Sequence, residues 1–297
     1  MQAPLFGTFV TPSTANPQKV LDLAVAADVG GLDLVTFQDH PYQPALLDSP
    51  TLLSFVAART SRVHLSANVT NLSLRPPTTL ARAATTLDIL SGGRFELGLG
   101  TGAFPEAIRA MGATPLTGGN AVRALSQAIA LIRDIWDTET AGGVRFDGEN
   151  FTARGIKRGP ATPHPISIWV GAYGPKMLRL TGQVADGWLP TLEYIEGGLA
   201  GVRAMNARID AGAVHADRAP AQVLRLINVM NPAMTATTSG FLHGPVQAWI
   251  EQLTEAISSR TLDGVLIGGD DLEMTQRFAS EVAPAVREAV SHLRPQE

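Results

Sequence analysis

The 297-residue chain contains no cysteine, which excludes thiol catalysis, disulfides, thiolate metal sites and iron–sulfur clusters. Any redox chemistry must then reside in a bound cofactor. No apolar stretch reaches the ~20 residues a membrane helix needs, and the opening MQAPLFGTFVTP lacks a basic region followed by a signal-type apolar run. A cytoplasmic protein with no membrane partner is the expectation. Lysine and arginine form no block, and the formal charge is −4, so a dedicated nucleic-acid or anionic-surface binder is not expected. The six histidines are dispersed without an HExxH pattern, which argues against a protein-bound catalytic metal. A G-x-S-x-G nucleophile motif is missing, and no glycine run matches a Walker or Rossmann fingerprint.

What is present is 45% hydrophobic residues in short apolar runs separated by helix-like stretches. Length alone allows two ordinary domains or one large α/β barrel. The strand-like runs are LFGTFV (Leu5 to Val10), LDLVTF (Leu32 to Phe37), VHLSANV (Val63 to Val69), FELGL (Phe95 to Leu99), ISIWVG (Ile166 to Gly171), GWLPT, VLRLINVM and GVLIGG (Gly264 to Gly269). Helical spacing is readable at Pro17 to Val29, in TTLARAATTLDILSGG and at Ala121 to Trp136. Strand and helix alternate eight times without a linker, which predicts a single (β/α)8 TIM barrel spanning residues 1–297. The long stretch from Phe104 to Pro163, with a hairpin-like RFDGENFTARG, reads as an insertion after strand 4. Met230 to Pro245, small, polar and weakly periodic, reads as a mobile loop after strand 7 or as a disordered insertion.

Active sites of such barrels lie at the C-terminal ends of the strands, so polar residues at strand exits are the candidates. Asp39-His40 follows the second strand; it is either a capping pair or a proton-exchanging histidine at the mouth. Asn68-Val69-Thr70 follows the third, offering turn chemistry or contacts to a ring edge. Gly100-Thr101-Gly102 leaves the fourth with backbone N–H groups that no Cβ obstructs. Gly171-Ala172-Tyr173-Gly174-Pro175-Lys176 opens a helix, where free N–H groups, the helix dipole and Lys176 suit a phosphate. Asp186-Gly187-Trp188 reads instead as a turn with a core tryptophan at the barrel's other face.

Taken together, GGLDLVTFQDH, NVTNLSLRPPTTLARAATTLDILSGGRFELGLGTG, GENFTA, PHPISIWVGAYGPKMLRLTGQVADGWLP and HGPVQAWIEQLTEAISSRTLDGVLIGG resemble, colinearly, the luciferase-like monooxygenase superfamily. The resemblance is closest to its deazaflavin-dependent branch. It implies coenzyme F420 as cofactor, with FMN as the alternative, and a homodimer. It also implies that His40 lies near the reactive face of the ring and serves as the catalytic proton partner, with Asp39 beside it. Asn68-Val69 falls where the family has a non-proline cis peptide that props the ring, while Gly100 to Gly102 and Gly171 to Lys176 fall on the loops for the ring side and the phosphate. Tyr42 and Ala103 become substrate-facing positions. The arginine after the fourth strand and the serine-rich fifth-strand loop of FMN-using relatives are missing. So are the glutamates of the sugar-phosphate dehydrogenases, replaced by Ala103 and Val10-Thr11, which argues against a sugar-phosphate substrate. The expected function is hydride transfer between deazaflavin and a small organic molecule. An FMN-dependent monooxygenase and a non-catalytic flavin-binding barrel are the rival readings.

Overall fold

A computed structural model describes residues 3–293; residues 1–2 and 294–297 of the single domain expected above lie outside them. The main sheet is parallel throughout. Its strands are Leu5–Val10, Leu34–Phe37, His64–Ala67, Thr70–Asn71, Leu97–Gly100, Ile168–Val170, Gly187–Trp188, Leu224–Val229 and Gly264–Ile267. His64–Ala67 and Thr70–Asn71 are one strand interrupted at Asn68 and Val69, so the sheet has eight positions around the barrel. The first strand pairs with both the second and the last. Leu65 N–H donates to Arg94 O at 2.8 Å and Glu96 N–H to Leu65 O at 2.9 Å, joining the two ends of the sheet. The result is a TIM-barrel-like α/β fold.

Helix boundaries follow ordinary end chemistry. Asn16 accepts Lys19 N–H at 3.1 Å ahead of the helix Pro17–Gly30, with proline in the first turn where its missing donor costs nothing. Gly31 ends that helix in the left-handed region at φ 84°, a conformation glycine adopts without a Cβ clash. Asp48 caps Ser49–Ala57 in the same way through Thr51 N–H at 3.3 Å.

Alternation along the strands separates two apolar layers. Phe9, Leu34, Trp169, Leu189, Leu226 and Leu266 fill the barrel interior, whereas Phe6, Val10, Val35, Phe37, Val265 and Ile267 face the surrounding helices. The interior cluster plugs the barrel and leaves its C-terminal mouth open above Phe9 and Leu189.

One region differs from the sequence pattern. The charged, glycine-containing stretch after GWLPT folds as a helix, Leu199–His215. A Cβ on its Gly212 would lie 2.1 Å from Arg179 O, and one on Gly182 of the facing helix 2.0 Å from Ile209 O. These glycines let Leu199–His215 and Pro175–Val184 pack backbone to backbone, at the expense of the apolar periodicity that marks other helices. The stretch between the fourth and fifth strands holds a short helix, Pro105–Ala110, the long helix Gly118–Trp136 and an antiparallel hairpin of Val144–Asp147 with Thr152–Ile156. Asp186 takes its expected role below the sheet: it accepts Ile168 N–H at 2.9 Å and both oxygens bind Arg133, while Trp188 is fully buried.

Candidate active site

A cavity of about 690 Å³ opens at the C-terminal ends of the strands, within the size range of small-molecule sites. Asp39, His40, Tyr42, Asn68, Val69, Gly100, Thr101, Gly102, Ala103 and Gly171 through Lys176 all line it. Strand exits more than a hundred residues apart in sequence therefore meet at one opening.

Thr70 does not join them. It resumes the third strand, pairing with Leu99, and lies in a separate recess against Pro50 and Leu80. The Asn68–Val69 peptide before it is cis. Val69 and Thr70 occupy adjacent strand positions, and only Val69 reaches the mouth.

The seat of the Val69 side chain at the mouth depends on absent side chains. A Cβ on Gly100 would stand 2.6 Å from Val69 Cγ2, and one on Gly171 3.0 Å from the same atom. Gly102 adds a left-handed backbone at φ 93°, and its Cβ would strike Ile108 and Asn71. Asn68 is itself locked below. Its Nδ2 donates to Asn228 Oδ1 at 2.7 Å and to Thr36 Oγ1 at 3.1 Å, while Asn228 returns a bond to Asn68 Oδ1 at 3.2 Å. Buried amides satisfied in pairs fix one orientation.

Asp39 and His40 divide the work of their exit. The Asp39 side chain is buried and holds Arg75 through two bonds, Nε to Oδ2 at 3.1 Å and Nη2 to Oδ1 at 2.8 Å. It also accepts Asn71 N–H at 3.0 Å. Burial works against the Arg75 charge, but Asp39 and Asp48 outweigh it and hold the guanidinium protonated. The carboxylate is thus consumed in tying the second exit to the third. His40 faces the cavity, with Nδ1 2.6 Å from the Tyr42 hydroxyl. Burial lowers its pKa below the ordinary 6.5 despite the opposing charge of Asp39, so the imidazole is neutral at pH 7. Burial, aided by Asp39, pushes the Tyr42 phenol up to about 12, which keeps its proton in place. Phe104 closes an aromatic trio, its ring centroid 5.5 Å from His40 and 5.9 Å from Tyr42.

On the opposite wall the helix Pro175–Val184 begins at Gly174 with proline at its start and no side-chain cap. Its first free N–H groups and Lys176 face the opening. An uncapped N-terminus beside an ammonium group favours an anion. Tyr173 is anchored rather than free, its hydroxyl accepting Thr191 N–H at 2.8 Å.

Several contributors have no sequence signal. Arg75, Asn71 and Asn228 act through partners 36, 32 and 160 positions away. Phe104 was visible only as the residue after the fourth exit, and Met230 as the start of the loop after the seventh strand.

A family model described as luciferase-like monooxygenase matches residues 5–240. The chain is 32% identical over 256 residues to a protein of Kineococcus radiotolerans named F420-dependent glucose-6-phosphate dehydrogenase, an alignment covering 78% of this chain and 74% of the relative. A protein of Nakamurella multipartita with the same name is 33% identical over 192 residues, covering 63% of this chain and 56% of the relative. Among solved structures, one described as an F420-dependent secondary alcohol dehydrogenase in complex with an F420–acetone adduct superposes with a TM-score of 0.81 at 16% identity. It covers 96% of this chain and 99% of that chain, a likeness of fold.

Proposed function

The chain belongs to the luciferase-like monooxygenase family, and from that premise we propose that it is a coenzyme F420-dependent oxidoreductase acting on a small organic substrate. The observation that carries this reading is the convergence, in one cavity, of a neutral histidine, two glycine exits on which Val69 is seated and an uncapped helix start beside Lys176. Relatives named for F420 at about one-third identity support the choice of cofactor.

The residues present fit the group. Val69, seated against Gly100 and Gly171 with no Cβ in its way and lining the cavity, would back a planar ring, and Lys176 with the helix start would hold a phosphate. When bound, deazaflavin supplies a two-electron hydride carrier. The chain's own part is positioning, exclusion of water and one proton. His40 exchanges that proton with the substrate oxygen through Nε2, and Tyr42 sets which form it takes. With the phenol donating to Nδ1, Nε2 carries the proton and serves reduction of a carbonyl. With the phenol accepting from Nδ1, Nε2 is bare and serves oxidation of an alcohol.

The substrate is uncharged on this reading. Lys176 is the only lysine or arginine lining the cavity among the described residues, and once committed to the cofactor it leaves no cation for a substrate phosphate. Ala103, Phe104 and Val122 give that side an apolar wall. Residues 1–297 form one domain. The hairpin and the Pro105–Ala110 helix are its insertion after the fourth strand, and the stretch from Met230 to Pro245 is a mobile loop that covers the mouth. The protein works as a cytoplasmic homodimer.

Binding of each cofactor, followed by fluorescence quenching, tests the assignment. Saturable quenching with oxidised F420 and none with FMN is the expected result. Tight FMN binding with no F420 binding would sink it in favour of the monooxygenase; binding of either without turnover on any alcohol or carbonyl would favour a non-catalytic barrel.

A further inference from the structure

The opposite end of the barrel carries a second concentration of titratable groups that the proposed redox site does not use. His64 begins the third strand, Glu96 precedes the fourth, and His164 lies in the approach to the fifth. Glu96 Oε1 stands 3.1 Å from His64 Nδ1 and 3.2 Å from His164 Nε2, and the three atoms all lie within 4.8 Å of one another. Two nitrogens and a carboxylate oxygen at about 2.0–2.2 Å from a tetrahedral cation would be separated by roughly 3.3–3.5 Å, close to the spacing already present.

The surroundings match what a metal-binding histidine needs. Such a histidine directs its second ring nitrogen to a carboxylate, which fixes the tautomer and raises ligand basicity. His164 Nδ1 lies 2.8 Å from Asp88 Oδ1, an ion-pair contact whose angle falls short of a hydrogen bond and that a small ring rotation on binding an ion would complete. Asp88 is completely buried, and its Oδ2 has no hydrogen-bond partner. Glu96 is oriented likewise: Oε2 accepts Ser167 N–H at 2.8 Å, which turns Oε1 toward the two imidazoles. The His64 side chain is 37% exposed and that of His164 23%, so one side stays open to solvent for entry and for a water as fourth ligand.

We propose that His64 Nδ1, His164 Nε2 and Glu96 Oε1 form a divalent-cation site of the zinc type, with Asp88 as the carboxylate behind His164. Its role is structural. His64 begins the third strand, and Glu96 and His164 lie just before the fourth and fifth, beside the bridge between Leu65 and Phe95, so an ion there would staple the lower ends of three consecutive strands. Residue types so far apart in sequence form no motif, which is why the histidine spacing gives no hint of it.

Zinc titration of the chelator-treated full chain, read by calorimetry and by the zinc retained after gel filtration, tests the site. One equivalent with micromolar or tighter Kd and a zinc-dependent rise in Tm are expected. His64→Ala and His164→Ala should each abolish the tight equivalent and the Tm rise. Asp88→Asn should keep the stoichiometry and weaken binding by about 10–100-fold. His292→Ala, far from the cluster on the last helix, should change nothing. If His164→Ala does not fold, His64→Ala decides, because that ring is half-exposed. Wild-type protein that retains no zinc, or His64→Ala protein that binds it as tightly as the wild type, overturns the proposal.

Discussion

The two ends of the barrel use charged and polar residues in opposite ways. Below the sheet, side chains close the chain on itself. Arg94 donates five hydrogen bonds, four of them to the backbone carbonyls of Ser91, Val63, Ala57 and Thr60. Asp28 accepts the N–H groups of Ser61, Arg62 and Val63 and the Ser61 hydroxyl. At the mouth, His40 has one polar partner, Tyr42, and the helix start by Lys176 has no side-chain cap. Groups left without partners inside the protein are the ones available to a visitor. The difference follows the division of labour expected of this fold, stability at one face and chemistry at the other. The motif SGGR-FELGLGTG spans both ends: Arg94 locks the floor and Gly100 to Gly102 shape the mouth.

The comparison breaks most visibly at His40. Replacing it with alanine should lower turnover by about 10²–10⁴-fold, the usual worth of a positioned acid–base group, while cofactor affinity and Tm change little. Steady-state rates beside a cofactor titration check this, and intact turnover would remove His40 from the chemistry. Arg94→Met should show the reverse. It leaves four buried carbonyls without their donor, a loss of about 2–4 kcal/mol, or roughly 3–6 °C in Tm for a chain of this length, with kcat per folded molecule unchanged. A large fall in kcat at unchanged Tm would show that the two ends are not independent.

How much of this could be read beforehand depends on the range of the interactions. The strands and their exits follow from local alternation, and residues at exits converge wherever a parallel barrel closes. His40, Val69 and the glycines at 100, 102 and 171 were therefore legible. Thr70 was not, because which of two adjacent residues faces the mouth is set by the interruption of the third strand at Asn68 and Val69. Arg75 clamping Asp39 and Asn228 pairing with Asn68 were equally hidden, since each joins positions that only the closed barrel makes neighbours. The helix Leu199–His215 escaped because its glycines serve close packing rather than an apolar stripe.

The smallest effect, and the sharpest probe of the mouth, is the pH dependence that His40 imparts. Its folded pKa lies below the ordinary 6.5 because burial disfavours the imidazolium, so the unfolded chain takes up the proton first as pH falls. Between 6.5 and the lower folded value the unfolded state binds more protons, and the His40 contribution to stability declines as pH drops through that window. In the oxidation direction activity should fall over the lower part of the same window, because a protonated Nε2 cannot receive the substrate proton. Tyr42, pushed up to about 12, adds no basic limb near neutrality. A kcat/KM profile for alcohol oxidation should therefore show an acid limb with its midpoint below 6.5, and His40→Gln should erase that limb along with most of the rate. A limb that survives in His40→Gln would belong to another group, and the contrast between a neutral histidine waiting at the mouth and paired charges at the floor would have to be redrawn.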